Sequence, residues 1–372
     1  MSKLFKKPPK PKSSPDYLFI ILIGILVIFG LVMLASASSD LAKEEFGSSY
    51  YYLKHQVIYG LSFGIIGFLI TTFLYHQKLK KLALPLLILN IVALILVFTP
   101  LGISAKGASR WLQIGGFSFQ PGELLKISFI IYIASWICGS KKRGESVTEG
   151  FIPLIVIIGI IGLLLMMQPA TTIAIIIIGS SLAVYFVSGA KFKYIIGIIL
   201  LGLILLSTVI YFTPYRMERI KTYLHPKSDT LGDAYHLNQS QIAIGSGGVS
   251  GVGYGQSTTK LNYLPEPIGD SIFAVIAEEL GFVGATSVLL IFFAIVYRGL
   301  AIAKKASDSF GKLITVGFIT IIGAQAVINI GAISGILPLT GIPLPFISYG
   351  GTALATFMTM AGIITNVSKY RK

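Results

Sequence analysis

The chain alternates between long apolar runs and short polar segments. The ten apolar runs cover residues 17–38, 56–75, 82–101, 122–138, 150–168, 170–188, 192–213, 270–297, 312–336 and 350–367. Most reach the roughly 20 residues that a helix needs to cross a bilayer core of about 30 Å. The period-2 alternation of a membrane β-barrel is absent. Because a backbone inside hydrocarbon must satisfy its own hydrogen bonds, the pattern predicts an all-α, polytopic membrane protein with ten transmembrane helices.

Composition and charge support this prediction. Hydrophobic residues make up 54% of the chain and charged residues 12%, too few to cover the surface of a water-soluble protein of this size. The formal net charge is +15. With the N-terminus placed inside, most Lys and Arg residues fall in the inner segments, so both termini are predicted to be cytoplasmic. The basic charge therefore indicates topology and contact with membrane lipids, and not a nucleic-acid partner.

The polar segments suggest a simple domain organisation. Residues 1–16, rich in Lys, Pro and Ser, are predicted to form a disordered basic cytoplasmic tail. Residues 17–368 are predicted to form a single membrane domain, followed by a short cytoplasmic tail at 369–372. Within the domain, residues 214–269 form a large extracytoplasmic loop between the seventh and eighth helices. Loops of this length are usually functional or disordered. Because this one contains aromatic residues and few runs of charge, we expect it to be ordered against the membrane.

Two groups of charged residues are candidates for chemistry. Asp270 opens the eighth predicted helix, where it is either a functional acid or simply the helix N-cap. Glu123 and Lys126 are three residues apart at the start of the fourth helix, within reach of each other. They form either a structural ion pair or, with Arg110, an electropositive rim that meets an anionic head group.

Two further segments are rich in residues that break helices. The stretch 245–255 contains many glycines but lacks the G-K-[ST] ending and the strand-to-helix context of a nucleotide site. A tight turn that brings the backbone close to substrate or membrane is the favoured interpretation. Residues 338–351 combine several prolines and glycines, which predicts a broken, re-entrant segment before the last helix.

A series of short motifs follows along the chain: Gly107-Ala108-Ser109-Arg110-Trp111, Phe119-Gln120-Pro121-Gly122-Glu123-Leu124-Leu125-Lys126, Tyr263-Leu264-Pro265-Glu266, Asp270-Ser271-Ile272-Phe273-Ala274, Glu278-Glu279-Leu280-Gly281 and Leu344-Pro345-Phe346-Ile347-Ser348-Tyr349-Gly350-Gly351. In this order they resemble the SEDS family (shape, elongation, division and sporulation), over nearly the whole chain after residue 16. Lys260, shortly before Leu264-Pro265-Glu266, is more similar to the division branch than to the elongation branch.

The resemblance implies a peptidoglycan glycosyltransferase that polymerises lipid II, an undecaprenyl-pyrophosphate disaccharide peptide, at the outer face of the bacterial cytoplasmic membrane. It also implies a class B penicillin-binding protein as the cross-linking partner, other divisome proteins as further partners, and a location at the division septum. Members of the family carry their essential acid at the position of Asp270.

The implied chemistry needs one base and several cations. Asp270 would take the proton from the acceptor 4-hydroxyl, and pyrophosphate is a good leaving group once its charge is neutralised. The candidate pyrophosphate ligands are Arg110, Lys126, Arg216, Arg219 and Lys260. Other candidate substrate-binding residues are Trp111, Gln120, Glu123, Glu266 and Ser348. A divalent cation, Mg²⁺ or Mn²⁺, could share the task, but no cluster of carboxylates in the sequence requires one and no metal ligand is assigned.

Two other functions fit the same helix pattern. A lipid II flippase could also be built from ten helices with broken segments, although no internal repeat is visible and the distinctive polar groups fall on the outer side. A non-catalytic scaffold for division or elongation would leave Asp270 dispensable. Polymer formation in detergent, where the two membrane faces are no longer separated, would distinguish an enzyme from both.

Overall fold

The structure is a computed structural model that describes residues 10–105, 108–144, 146–224, 233–261 and 263–371. The chain is about 74% helical. The longer helices of the described residues are α1 (Tyr17–Phe46), α2 (Tyr51–Phe73), α3 (His76–Leu96), α4 (Pro121–Ile137), α5 (Val147–Met167), α6 (Thr171–Val187), α7 (Phe192–Phe212), α8 (Pro214–Leu224), α9 (Asp233–Ser246), α10 (Ile272–Lys305), α11 (Ser309–Ile333) and α12 (Gly351–Ser368).

The predicted apolar runs coincide with helices α1–α7 and α10–α12. Within the described residues, seven of these are long and apolar enough to cross a membrane: α1, α2, α3, α5, α7, α10 and α11. The other three, α4, α6 and α12, have 17, 17 and 18 residues. The mostly helical, membrane-spanning architecture is therefore confirmed, whereas the number of ten crossings stays a prediction.

The prediction of an all-α fold is wrong at one place. Three strands, β1 (Gly102–Ala105), β2 (Ala108–Ile114) and β3 (Phe117–Phe119), form an antiparallel sheet in the order β1-β2-β3. The β2–β3 turn consists of Gly115 and Gly116, with φ of 57° and 85°. Two successive residues with positive φ are typical of the tight turns that suit a twisted hairpin. The sheet lies directly before α4 and carries Arg110 and Trp111.

The core lies between α4, α10, α11 and α12. Helix α11 packs against α4, α6, α10 and α12, and α12 also packs along α2. Large side chains that are completely buried in this core include Phe129 of α4, Phe318 of α11 and Phe357 of α12. The long loop between α7 and α10 contributes α8 and α9 within its described residues.

The two ends of the described chain meet at one carboxylate. Asp16 caps α1 and pairs with Arg298 and Arg371, each at 2.9 Å. Burial opposes the ionisation of Asp16, but the two arginines outweigh that effect and hold the pKa of its carboxyl below its usual value. Residues 12–16, the end of the tail predicted to be disordered over 1–16, are bonded to the C-terminal end of α12. Residues 1–9 of that tail lie outside the described part of the chain.

Candidate functional site

Asp270 lies immediately before α10, one position ahead of the helix N-cap. The helix begins at Ile272, and Ser271 occupies the N-cap position. The Ser271 hydroxyl donates to the carbonyl of Pro265 at 2.7 Å and lies 2.6 Å from Nε2 of His236. Asp270 is half-buried. The alternative in which Asp270 is simply the N-cap of this helix is therefore not supported.

The backbone of Asp270 is fixed by α11. Asn329 on α11 donates from Nδ2 to the carbonyl oxygen of Asp270 and to that of Ile342, both at 2.8 Å. Ile342 belongs to the non-helical stretch between α11 and α12, which we call the 334–350 segment. The Asp270 carboxyl lies against this segment, since a Cβ atom placed on Gly341 would be 3.7 Å from its Oδ2.

The 334–350 segment is joined to the residues just before Asp270. The Ser348 hydroxyl donates to the carbonyl of Gly269 at 2.6 Å and accepts from the Leu344 N–H at 2.7 Å. The Tyr349 N–H donates to the carbonyl of Ile268 at 2.9 Å. The predicted break in the helix is present, and Ser348 bonds to backbone groups that set the position of Asp270.

Glu123 and Lys126 form a buried ion pair inside the bundle. Lys126 Nζ lies 2.6 Å from Glu123 Oε1 and 2.7 Å from Gln325 Oε1, and its side chain has no exposed surface. Gln325 in turn donates to the carbonyl of Pro343 at 2.8 Å. The pair therefore connects α4 through α11 to the 334–350 segment. This favours the structural ion pair over the electropositive rim.

Three arginines lie around the same loops. Arg110 donates to the backbone carbonyls of residues 168–169, at 3.1 and 2.5 Å. Arg216 on α8 donates to the hydroxyl of the first residue of α6 at 3.0 Å. Arg219, also on α8, donates to the carbonyl of Leu339 at 3.1 Å. Arg110 and Arg216 thus hold the α5–α6 connection, and Arg219 holds the segment that contacts Asp270.

The other predicted cation, Lys260, is buried in a different ion pair. Its ammonium lies 2.9 Å from Glu279 Oε1 and donates to the Ser36 hydroxyl at 3.0 Å. The neighbouring Glu278 accepts hydrogen bonds from residues 257–259. Both acids face protein, as expected for carboxylates within an apolar helix.

The glycine-rich stretch packs on a break in α10. The Val252 N–H donates to the carbonyl of Glu278 at 3.0 Å. A Cβ atom on Gly251 would lie 2.1 Å from the carbonyl oxygen of Glu279, so only glycine permits this approach. At Gly281 the helix has φ 65° and ψ −164°, which interrupts its hydrogen bonding. The tight turn is therefore present and lies against the backbone of α10, whereas its closeness to substrate or membrane stays a prediction.

The remaining predicted site residues lie in the turns and strand near these loops. Trp111 is half-buried on β2 and is paired with Ile103 of β1. Gln120 is the N-cap of α4, and its backbone N–H lies 3.4 Å from the Thr352 hydroxyl. Glu266 is exposed, with φ 52° in the turn that precedes Asp270.

Two groups that support the site escaped the sequence analysis. Gln325 and Asn329 lie about one helical turn apart within an otherwise apolar run, which was a usable signal because uncharged polar residues in such runs tend to bind other helices. The second group is Tyr349, whose hydroxyl oxygen lies 2.9 Å from Nδ1 of His55. Burial raises the pKa of Tyr349 to about 12, so this hydroxyl stays protonated at neutral pH.

No metal centre is formed by the described residues. Within the described ranges, His, Cys, Asp and Glu side chains do not gather in any group of three or more that could hold an ion. The chemistry available at the site is that of one half-buried carboxyl, two neighbouring turns and the guanidinium groups around them.

Comparison with known proteins identifies similar chains over the full length. Residues 16–372 match the FtsW/RodA/SpoVE family model, described as a cell cycle protein. Stage V sporulation protein E of Bacillus subtilis is 36% identical over 362 residues, covering 97% of this chain and 99% of the relative. The probable peptidoglycan glycosyltransferase FtsW of Trichlorobacter lovleyi is 36% identical over 372 residues, covering 99% of this chain and 96% of the relative.

Solved structures share the fold. A chain from a peptidoglycan synthase complex, described as coordinating polymerisation and crosslinking, superposes with a TM-score of 0.78 at 27% identity, covering 96% of this chain and 99% of that one. The rod shape determining protein RodA of Thermus thermophilus gives a TM-score of 0.71 at 26% identity, covering 97% and 98%. The sporulation and division relatives are equally identical to this chain, so identity does not separate those two branches.

Proposed function

Because the chain belongs to the FtsW/RodA/SpoVE family of cell cycle proteins, we propose that it is a peptidoglycan glycosyltransferase that polymerises lipid II into glycan strands. The reaction takes place at the outer face of the bacterial cytoplasmic membrane. The chain crosses that membrane ten times, with both termini in the cytoplasm. It acts in septal wall synthesis during cell division.

The observation that carries this proposal is the setting of Asp270. Its carboxyl is half-buried beside Gly341, and its backbone is held by Asn329 from the opposite helix. A residue whose backbone is fixed in this way places its carboxyl in a narrow region, so less ordering remains to be done when substrate binds. A general base in this position increases the rate by a factor of roughly 10²–10⁴.

The bond-making step is a simple displacement. Asp270 removes the proton from the 4-hydroxyl of the acceptor sugar as its oxygen attacks the anomeric carbon of the donor. Undecaprenyl pyrophosphate leaves with the electron pair of the broken bond. A glycoside hydrolase needs a second carboxyl as an acid for its poor leaving group, whereas pyrophosphate leaves without one when its charge is neutralised.

Arginine supplies that neutralising charge in this scheme. Arg219 contacts the 334–350 segment beside Asp270. Arg110 and Arg216 contact the α5–α6 connection and the start of α6, which is bonded to that segment at Thr340. Guanidinium groups bind phosphate oxygens through paired hydrogen bonds. Lys126 and Lys260 are instead paired with Glu123 and Glu279. We therefore assign the pyrophosphate to the three arginines and a structural role to the two lysines.

A class B penicillin-binding protein is the proposed partner, together with other divisome proteins. The support is the peptidoglycan synthase complex among the similar structures, which is described as coordinating polymerisation with crosslinking. In such an assembly the partner would cross-link the strands that this chain polymerises.

The test is a polymerisation assay with purified Asp270→Asn protein, lipid II and the partner transpeptidase. We expect glycan strand synthesis to fall by at least about 100-fold, because the amide cannot accept the proton. Asp40→Asn is the matched control, since Asp40 is exposed at the end of α1 and undergoes the same chemical change. Normal strand synthesis by Asp270→Asn protein would contradict the mechanism.

The same assay separates the enzyme from the alternatives. In detergent the membrane faces are no longer separated, so a flippase has no measurable task, whereas a polymerase still makes strands. Wild-type protein that binds its partner but makes no polymer in detergent would exclude the proposed activity.

A further inference from the structure

A cavity with charged side chains in its lining lies at the opposite end of the bundle from Asp270. It has a volume of about 510 Å³ and lies where the start of α3, the ends of α4 and α6, and the start of α11 come together. These helix ends belong to the segments that the distribution of basic residues assigns to the cytoplasm. The volume is within the range of ligand pockets, about 300–1,000 Å³.

The cavity is lined by positive charge on one side. Lys80 is half-buried, with its ammonium 5.1 Å from the centre of the Phe310 ring, and Lys312 lies in the first turn of α11. The N-terminus of α11, a helix of 25 residues that Asp308 caps, adds the partial positive charge of the helix dipole. The three features together favour an anion.

One acid also lines the cavity, but protein groups bind it. Asp308 accepts from Nε2 of His76 at 2.7 Å and from the Gly311 N–H at 2.8 Å, and it also accepts from Gln77. Burial opposes its ionisation, but the bonds from His76 and Gly311 outweigh that effect and hold the pKa of the Asp308 carboxyl below its usual value. Lys80 also acts on this carboxyl and helps to lower its pKa, so Asp308 offsets part of the positive charge. With two lysines against one acid, the charge of the lining remains positive.

Part of the lining is apolar, and one of the helices that supply it also carries a side chain exposed to lipid. Ile137, Val187 and Leu313 line the cavity. The adjacent Phe186 on α6 is 58% exposed, as expected for a side chain that faces lipid. The space is larger than a phosphate group requires, so it also accommodates the glycerol and the first acyl carbons of a lipid.

We propose that this cavity binds the phosphate headgroup of an anionic phospholipid from the cytoplasmic leaflet, with Lys80 and Lys312 as its cationic ligands. Basic pockets between membrane helices on the cytoplasmic side are suited to such headgroups. The site is independent of the proposed glycosyl transfer, since it lies at the other end of α4, α6 and α11.

The chain contains a built-in reporter for this site. Cys138 is its single cysteine and lines the cavity. The experiment measures the rate of maleimide reaction at Cys138 in lipid nanodiscs, as phosphatidylglycerol replaces phosphatidylcholine. We expect the rate to fall as the anionic lipid fills the cavity. Replacement of Lys80 or Lys312 by Gln should raise the phosphatidylglycerol fraction that gives half-protection by roughly fivefold per lysine.

Controls separate the site from general surface charge. Lys193→Gln removes an exposed lysine at the start of α7, which does not line the cavity, and should leave the protection curve unchanged. Lys80→Arg should restore protection because it keeps the charge. Each curve is referred to its own rate in pure phosphatidylcholine, so that direct effects of a lysine on the thiol cancel.

Three results would overturn the proposal. One is equal protection of wild-type and Lys80→Gln/Lys312→Gln protein. Another is a Lys193→Gln curve that shifts as far as the curves of the cavity variants. The third is full protection by soluble glycerol 3-phosphate in phosphatidylcholine discs, because the ligand would then be a free phosphate ester and not a lipid.

Discussion

Helices α11 and α7 are both apolar enough to cross a membrane, yet they lie in opposite surroundings. Helix α7 is the more apolar, with a mean hydropathy of 2.7 against 2.0 for α11. However, 72% of the most apolar window of α11 is buried in protein, compared with 11% for α7. The more hydrophobic helix is thus the more exposed one.

The difference shows what drives packing in this protein. Lipid tails are as apolar as leucine, so an apolar side chain gains little by leaving lipid for protein. Polar groups instead decide which helix is buried in protein. On α11, Gln325 and Asn329 donate hydrogen bonds to the 334–350 segment and to Asp270. On α7, the hydroxyl of Thr208 bonds only within its own helix in the contacts seen, to the carbonyl of Ile204 at 2.8 Å.

The largest effect in this comparison is expected for Lys126→Met. The substitution leaves the buried carboxylate of Glu123 without its ammonium partner, and removal of one member of a buried ion pair costs about 3–5 kcal/mol. We expect a large loss of thermal stability in detergent, measured by the melting temperature. Lys193→Met, at the exposed start of α7, is the matched control and should change the melting temperature little.

A second variant tests whether the charge itself is responsible. In Glu123→Leu/Lys126→Met protein the uncompensated carboxylate is gone, so much of the lost stability should return. A double variant that is as unstable as Lys126→Met alone would mean that packing around Lys126, and not the ion pair, holds α4 against α11.

The helices were predictable from sequence because apolar runs of bilayer length have few alternatives. The sheet at 102–119 was missed, although Gly115 and Gly116 between alternating residues were a signal for a hairpin. The short strands lack the long apolar pattern that made the helices visible. The break of α10 at Gly281 was also missed, because the glycine stretch that fits against it begins some thirty residues earlier.

The site was only partly predictable for a similar reason. Asp270 could be singled out by its motif and its position before a helix. The surroundings of Lys126 and Lys260 could not, because their partners Gln325 and Ser36 lie some two hundred residues away in sequence. A charged residue in an apolar chain indicates a functional or structural group, and only the fold distinguishes the two.

An intermediate effect is expected for Asn329→Leu. The change removes the hydrogen bonds to the carbonyls of Asp270 and Ile342, and an unsatisfied buried acceptor costs about 1–3 kcal/mol. We expect a moderate fall in melting temperature together with a marked loss of lipid II polymerisation, since the position of Asp270 is no longer fixed. Thr208→Val on α7 removes a polar group from the exposed helix and should alter neither quantity. Full activity of Asn329→Leu protein would show that the 334–350 segment alone positions Asp270.

The smallest loss of stability is expected for the replacement of isoleucine by valine. This change compares α11 and α7 most directly, because it removes one methyl group at an equivalent residue type in each helix. Ile322 on α11 has no exposed surface, whereas Ile204 on α7 is 64% exposed. Ile322→Val leaves a small void among packed atoms and should cost about 0.5–1.5 kcal/mol. Ile204→Val exchanges contacts with lipid for other contacts with lipid, so we expect no measurable change in melting temperature. If both variants lost the same stability, α7 would have to pack against protein in the membrane, and the exposed face of α7 would then be a protein interface.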